Sequence, residues 1–157
     1  QESISRLSEM LRYVLYDSAT ERVSLKKDVD FMLNYINLMQ IRYEDTLKLD
    51  VQMQVTDPDR QIPPMLFISL LENAYKYGAS SLHDCWLRVK MTDEGGSLHF
   101  LIENTLLTEQ EMASKKRGGV GFENLAKRLL LMYSDHHTFT YGETADGSFR
   151  AEIVITE

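Results

Sequence analysis

An acid, an amide and a base stand close together in the otherwise apolar segment 62–78. They are Glu72, Asn73 and Lys76, and helical spacing places Asn73 and Lys76 on the same side. An asparagine oxygen can bind Mg²⁺, and a lysine ammonium can neutralise phosphate. The pattern therefore suggests a magnesium-nucleotide site. A purely structural alternative is that Asn73 satisfies a buried backbone group while Lys76 is solvated.

The helix that must position these groups is predicted from the 3.6-residue period. Ser69 and Ser80 extend the polar stripe of Asn73 and Lys76. The opposite, apolar side is formed by Phe67, Leu70, Leu71 and Ala74. The adjacent prolines at 63 and 64 are expected to open this helix, because a proline in the first turn gives up an N–H that has no partner anyway.

A second segment combines positive charge, glycines and the start of a predicted helix. It reads Lys115, Lys116, Arg117, Gly118, Gly119, Val120, Gly121, Phe122. Glycines let backbone N–H groups approach an anion, and a helix N-terminus offers unpaired donors. We therefore predict a phosphate-binding lid, although the spacing fits neither the Walker lysine loop nor the dinucleotide fingerprint. The basic run by itself is equally typical of a solvated loop.

Together the two segments resemble the N box and the glycine-rich box of sensor histidine kinases, in the LytS/YehU-type branch. The resemblance extends to Leu11-Arg12-Tyr13, to the segment 35–43, and to the segment 124–133. It implies an α+β fold: a two-layer α/β sandwich of the histidine kinase ATP-binding type, with a mixed sheet covered on one face by helices and two amphipathic helices before it. Gyrase, mismatch-repair ATPases and heat-shock chaperones share this architecture.

The resemblance also implies roles for individual residues. Asn73 would coordinate the Mg²⁺ that bridges the phosphates, Lys76 would lie near them, and Glu72 would make a polar contact or handle a proton. The implied catalytic group is therefore Glu72, Asn73 and Lys76. The implied ATP contacts are Asn73, Lys76, Tyr77, Asn104, Gly118, Gly119, Val120, Gly121, Phe122 and Asn124.

Three positions depart from related patterns. Hydrolytic relatives have a glutamate four residues before the magnesium asparagine, where this chain has Ser69, which cannot act as a base unaided. We therefore expect slow hydrolysis of ATP. Asn104 replaces the adenine-reading aspartate, so the bond to the adenine amino group lacks charge assistance. Tyr77 stands where a histidine is common.

The resemblance implies a phosphoacceptor histidine in a Pro-His-Phe context. None of the four histidines at 83, 99, 136 and 137 has that context, so the acceptor is expected upstream of residue 1. The implied function is transfer of the γ-phosphoryl group of ATP to that histidine in a homodimer. A response regulator, often of the LytTR type, would receive it next. This describes the cytoplasmic domain of a bacterial, inner-membrane two-component sensor, attached to the membrane through upstream segments.

Composition narrows the classes of partner. The chain has 157 residues and a net charge of −7, which argues against direct nucleic-acid binding because that requires a basic surface. No apolar run approaches the roughly 20 residues that span a bilayer. The single cysteine, Cys85, excludes an internal disulfide and fits a reducing cytoplasm.

The remaining elements follow from periodicity. Two amphipathic helices have apolar stripes at Ile4, Leu7, Leu11, Val14 and at Leu25, Val29, Met32, Ile36, Met39. They could pack on the ATP-binding domain or form the end of a dimerising bundle with its connector. We place them in a helical segment 1–45 and the ATP-binding domain in 46–157. Alternation over 47–55 predicts a strand, and Asp146-Gly147 predicts a hairpin.

Two other functions stay open at this point. A degenerate member of the fold could serve in dimerisation or docking without turnover, and Asn104 in place of the aspartate favours that alternative. An ATPase of the gyrase or chaperone kind is the other candidate, and Ser69 speaks against it.

Overall fold

A computed structural model describes residues 1–113 and 121–156. The helices are α1 (Glu2–Leu15), α2 (Leu25–Arg42), α3 (Ile68–Gly78), α4 (Glu109–Ala113) and α5 (Gly121–Tyr133), with a short 3₁₀ turn at Asp17–Ala19. The strands are β1 (Val23–Ser24), β2 (Leu47–Val55), β3 (Gln61–Ile62), β4 (Cys85–Glu94), β5 (Ser97–Thr105), β6 (His137–Glu143) and β7 (Ser148–Thr156). None of the described helices combines the length and apolarity that a membrane span requires.

The main sheet has five strands in the order β2-β4-β5-β7-β6. β2 pairs parallel to β4, and the other three pairings are antiparallel. Burial alternates along the central strands, so one face is apolar and buried while the other presents charged groups such as the His99–Glu152 ion pair. Helices α2, α3 and α5 contact the sheet on the buried side. The predicted two-layer sandwich with a mixed sheet is therefore confirmed.

The apolar stripe of α2 lies inside the domain core. Leu25 and Met32 are fully buried, and Ile36 is nearly so. The helix begins where predicted, because the Ser24 hydroxyl accepts a hydrogen bond from the Lys27 N–H at 3.3 Å. One continuous apolar cluster joins α2 to the sheet and thus includes residues on both sides of position 45.

Helix α1 packs differently, although its sequence has the same periodicity. It lies against α2, and Tyr13 is its buried residue. The predicted stripe of Ile4, Leu7, Leu11 and Val14 faces solvent, with exposed fractions of 69%, 48%, 53% and 41%. The apolar face of α1 is thus left without a partner within the described part of the chain.

Two local predictions about α3 are wrong. The prolines at 63 and 64 do not open the helix, which begins only at Ile68. They belong to a turn in which Met65 has a φ of 59°, and this left-handed residue interrupts any helix that would start at the prolines. Ser80 is not on the polar stripe, because α3 ends at Gly78. Ser80 is buried instead, and its N–H donates to the Cys85 sulfur at 3.3 Å.

Candidate functional site

A cavity of ≈ 320 Å³ lies beside α3 and opens between β5 and the first turn of α5. This volume is within the roughly 300–1,000 Å³ of typical small-molecule sites. Four of the residues predicted for nucleotide binding line it, namely Asn73, Tyr77, Asn104 and Phe122. The structure adds Leu106, Met112, Tyr141, Glu143 and Phe149. A larger depression of ≈ 490 Å³ around Asp45 and Trp86 contains none of the predicted residues.

Asn104 supplies a buried acceptor at this cavity. It lies near the end of β5, and only 2% of its surface is exposed. Its Nδ2 donates to the Thr105 carbonyl at 2.8 Å, whereas its Oδ1 has no hydrogen-bond partner among the described residues. A buried carbonyl without a donor is costly, so the site favours a ligand that brings an N–H group. The amino group of adenine meets that requirement, and the residues present therefore fit ATP.

Gly78 allows α3 to approach Asn104 closely. A Cβ on Gly78 would lie 2.4 Å from Asn104 Nδ2 and 2.7 Å from the Thr105 carbonyl oxygen. The Thr105 hydroxyl donates to the Gly78 carbonyl at 3.1 Å, which holds the end of α3 against β5. We did not predict a role for Gly78, because a glycine at the end of a helix pattern is normally interpreted as a terminator.

An aromatic wall of four residues borders the cavity: Phe122, Phe139, Tyr141 and Phe149. The Phe122 ring lies 4.6 Å from the ring of Tyr141 and 6.1 Å from that of Phe149, between centroids. Phe139 completes the cluster at 5.8 Å from Phe122. Three of these rings line the cavity, and they offer an apolar surface on which a purine can stack. Only Phe122 was predicted, since the other rings come from strands distant in sequence.

The predicted catalytic residues lie on one helix, α3, but they do not all line the cavity. Asn73 lines the cavity, whereas Lys76 and Glu72 are not among its lining residues. Lys76 Nζ lies 5.2 Å from the centroid of the Tyr77 ring, so it is beside the cavity wall. Glu72 is exposed, yet adjacent protein raises the pKa of its carboxyl by desolvation. Burial raises the pKa of Tyr35 on α2 to about 12, and the negative charge of Glu72 adds to this effect. Because such a charge acts at short range, Glu72 lies on the side of α3 that is near α2.

The predicted phosphate lid is described only in part. Gly118, Gly119 and Val120 lie outside the described residues. Gly121 is the first residue of α5, and a Cβ there would be 4.0 Å from the Ser69 Cβ, one turn before Asn73. Asn124 is exposed on the same helix. The N-terminus of α5 thus faces the α3 turn that precedes Asn73.

Solved structures similar to this chain are domains of histidine kinases. The histidine kinase domain of the blue-light activated histidine kinase from Erythrobacter litoralis aligns with 98% of this chain and 79% of its own length, with a TM-score of 0.60 and 16% identity. The histidine kinase AdeS of Acinetobacter baumannii aligns with 99% of this chain and 75% of its own, with a TM-score of 0.53 and 18% identity. The chain has the fold of histidine kinase domains.

Sequence comparisons agree with that class. Residues 1–47 match the family model described as histidine kinase. The sensor protein kinase HptS of Staphylococcus aureus is 28% identical over 102 residues, which are 65% of this chain. The aligned part is 19% of the length of HptS, so the chain is similar to about a fifth of that protein.

Proposed function

We propose that this chain is the catalytic, ATP-binding core of a sensor histidine kinase. It binds Mg-ATP and transfers the γ-phosphoryl group to a histidine upstream of residue 1. The observation that carries the proposal is Asn104, which lines the cavity together with Asn73 and whose buried Oδ1 has no hydrogen-bond partner among the described residues. These two groups match the two ends of a nucleotide, an adenine amino group and a metal-bound phosphate.

At the adenine end, Asn104 Oδ1 accepts from the amino group and the aromatic wall contacts the base. At the phosphate end, Asn73 offers its carbonyl oxygen to Mg²⁺. No group of three or more His, Cys, Asp and Glu side chains suited to a metal occurs among the described residues. Asn73 is the residue that would hold Mg²⁺, which prefers oxygen ligands. The bound metal supplies charge neutralisation, which is the main requirement of phosphoryl transfer.

The remaining predicted contacts belong to the phosphate end. Lys76 contributes positive charge, and the N-terminus of α5 at Gly121 contributes backbone donors together with Gly118, Gly119 and Val120. Glu72 acts from the α2 side, as a polar contact or in proton handling. Ser69 occupies the position from which a base would activate water, so the site holds ATP for transfer and hydrolyses it slowly.

We also propose that the intact protein is a homodimer of the LytS/YehU type. The exposed apolar stripe of α1 supports dimerisation, because repeats of three and four residues suit a helix–helix seam. The phosphoryl group then passes to a response regulator, which in this branch is often of the LytTR type, and upstream segments anchor the sensor in the inner membrane. Within the helical segment 1–45, α1 serves the dimer and connector, whereas α2 packs with its apolar stripe on the ATP-binding domain 46–157.

A docking module without turnover is the alternative, and the unpartnered Oδ1 of Asn104 argues against it. A module without a ligand gains nothing from a buried carbonyl that lacks a donor, since that group costs roughly 1–3 kcal/mol. A nucleotide site recovers the cost whenever adenine is bound. The test is therefore recognition of the adenine amino group.

Calorimetric titrations of the chain with ATP and with inosine triphosphate, each with and without Mg²⁺, test the proposal. Inosine has a carbonyl in place of the amino group, so we expect ATP to bind about tenfold more tightly, the worth of one buried hydrogen bond. Asn104→Ala is expected to abolish this preference, and Asn73→Ala the magnesium dependence. Asn37→Ala, at an exposed asparagine of α2, serves as the control. Absence of ATP binding at millimolar concentration would instead support the docking module.

A further inference from the structure

The turn before α3 contains a residue with unfavourable backbone geometry. Met65 has a φ of 59°, in the left-handed region, and it precedes the start of α3 by three residues. A side chain with a Cβ pays of order 1–3 kcal/mol for such a conformation, which persists only when the surroundings hold it. The turn must therefore be held by contacts from other parts of the chain.

Those contacts come from three other helices. The Met65 N–H donates to Asp28 Oδ1 of α2 at 2.9 Å and to the Tyr13 hydroxyl of α1 at 3.1 Å. The Met65 carbonyl accepts from Arg128 of α5 at 3.3 Å. Arg128 also donates to the Pro64 carbonyl at 2.5 Å. We call Tyr13, Asp28, Met65 and Arg128 the Met65 clamp.

The clamp places a carboxyl group in the core. Only 1% of Asp28 is exposed, and Tyr13, 5% exposed, donates its hydroxyl to Asp28 Oδ1 at 2.5 Å. Burial raises the pKa of Asp28, opposed by the hydrogen bonds from Tyr13 and Met65 and by the charge of Arg128. Asp28 Oδ2 has no hydrogen-bond partner in the part of the chain described. Apolar residues often pack in such a position at lower cost, so packing does not explain the choice of an acid.

The clamp connects the surface of α1 with both helices of the cavity. Tyr13 is the buried residue of α1, on the side of the helix opposite to its exposed stripe. The turn that it holds leads directly into α3, which carries Asn73. Arg128 lies two helical turns after Gly121 on α5, whose first turn includes the cavity residue Phe122. A shift of α1 therefore changes a hydrogen bond to the turn that positions α3.

We infer that Tyr13, Asp28 and Arg128 are positioning residues of the ATP site. They hold the Pro64–Met65 turn, set α3 relative to α1 and α5, and so couple the position of α1 to nucleotide binding. The effect on nucleotide binding rests on the proposed function, whereas the positioning of α3 rests on the geometry of the Met65 clamp alone. None of these residues contacts the cavity, so their effect on binding passes through the turn.

The experiment measures Mg-ATP affinity by calorimetry in Tyr13→Phe, Arg128→Gln and the double variant. Tyr13→Phe keeps the ring stacked on Phe31, with centroids 4.6 Å apart, and removes only the hydroxyl. Tyr16→Phe is the matched control, because Tyr16 is 70% exposed at the end of the same helix. All titrations are run under conditions in which urea unfolding curves show that each variant is folded.

We expect each clamp variant to bind Mg-ATP about fivefold more weakly, as the loss of one buried hydrogen bond predicts. The double variant is expected to lose less Mg-ATP affinity than the product of the two single fold-changes, because both substitutions release the same turn. A change confined to unfolding, with affinities equal to that of Tyr16→Phe, would overturn the inference. A double variant whose loss of affinity equals the product of the two single losses would also overturn the inference.

A readout without nucleotide separates this inference from the proposed function. Amide hydrogen exchange over residues 65–78 is measured for the unliganded chain and for each variant. We expect faster exchange over this segment in Tyr13→Phe and unchanged exchange in Tyr16→Phe. If the unmodified chain fails to bind Mg-ATP, the proposed function is rejected, and exchange alone decides on the clamp. Exchange in Tyr13→Phe equal to that of the unmodified chain would then reject it.

Discussion

The two ends of α3 are held in different ways. The first end follows the Met65 turn, which long side chains from α1, α2 and α5 reach through hydrogen bonds. The last end is held by close backbone approach, because Gly78 leaves room for the Asn104 carboxamide and the Thr105 carbonyl. The first end depends on hydrogen bonds from side chains of other helices. The last end has hydrogen bonds as well, from the Thr105 hydroxyl and the Leu107 N–H, but it also depends on the absence of a side chain at Gly78.

Because of this difference, we expect the two ends of α3 to differ in how far they can move. Packed atoms resist displacement, so the end of the cavity beside Gly78 and Asn104 should be rigid. Hydrogen bonds from separate helices can lengthen by small helix shifts, so the start of α3 should respond to α1. Asn73 lies between these ends, near the middle of α3. The comparison predicts large steric effects at Gly78 and smaller, graded effects at the clamp.

The largest effect is expected from Gly78→Ala. The added Cβ would meet Asn104 Nδ2 at 2.4 Å and the Thr105 backbone at 2.7 Å, so β5 or α3 must shift. We expect a loss of about 2 kcal/mol in the free energy of unfolding, a typical cost of overpacking that outweighs the better helix propensity of alanine. Urea unfolding measures the loss, and Mg-ATP titration should show binding reduced below detection.

Gly121→Ala is the matched control for stability in that experiment. Gly121 is also helical, but among the described residues the nearest neighbour of a Cβ there would be Ser69 Cβ at 4.0 Å, an ordinary contact. The free energy of unfolding should stay the same or rise slightly. Equal destabilisation by the two alanines would mean that the Gly78 approach is not specially tight, and the contrast between the ends of α3 would disappear.

A smaller effect, dependent on pH, is expected from Asp28→Asn. Asparagine keeps an oxygen that can accept from Tyr13 and Met65, and it removes the ionisable group. Burial raises the pKa of Asp28 in the folded chain, so the folded state holds this proton to higher pH than the unfolded state does. The stability that Asp28 contributes is therefore complete below the ordinary pKa of an aspartate, and it falls as the pH rises through the raised value.

The measurement is urea unfolding of both proteins from acid to neutral pH. The difference between the unmodified chain and Asp28→Asn cancels the other titrating groups. It should fall with rising pH by at most about 1.4 kcal/mol per pH unit, the limit for a single proton. A difference that rises with pH would show that Arg128 and the hydrogen bonds outweigh burial at this end of α3.

The sequence predicted regular elements and the local pattern of the site. Alternation over 47–55 predicted β2, and the Asp146-Gly147 signal predicted the β6–β7 hairpin, because both depend on neighbours in the chain. The resemblance to histidine kinases placed Asn104 at the cavity. It did not predict the aromatic wall, whose rings lie on α5, β6 and β7.

The clamp could not be predicted, for physical reasons. Tyr13 reaches Met65 across 52 positions and Asp28 across 15, so no periodicity links them. A methionine gives no signal for a left-handed backbone, which here is imposed by tertiary contacts. Asp28 looks like an ordinary acid in the first turn of α2, where a charge near a helix N-terminus needs no further explanation. The same absence of local signals explains the incorrect start of α3.

The smallest effect is expected from Thr105→Val, which removes one hydroxyl at the Gly78 end. This hydroxyl donates to the Gly78 carbonyl at 3.1 Å and accepts from the Trp86 N–H at 3.2 Å. Its loss should cost about 1 kcal/mol of unfolding free energy, as for other buried hydrogen bonds, with Thr92→Val on β4 as the control. Mg-ATP affinity should stay close to that of the unmodified chain, because the close approach at Gly78 still positions Asn104.

Thr105→Val and Tyr13→Phe therefore form a pair, since each removes a single hydroxyl from one end of α3. If the ends differ as the structure indicates, Thr105→Val lowers stability and spares binding, whereas Tyr13→Phe weakens binding in a chain that stays folded. Calorimetry and urea unfolding of the two variants, side by side, separate these results. Equal losses of Mg-ATP affinity would mean that hydrogen bonds position both ends of α3 in the same way. The close approach at Gly78 would then not be what positions α3 for nucleotide binding.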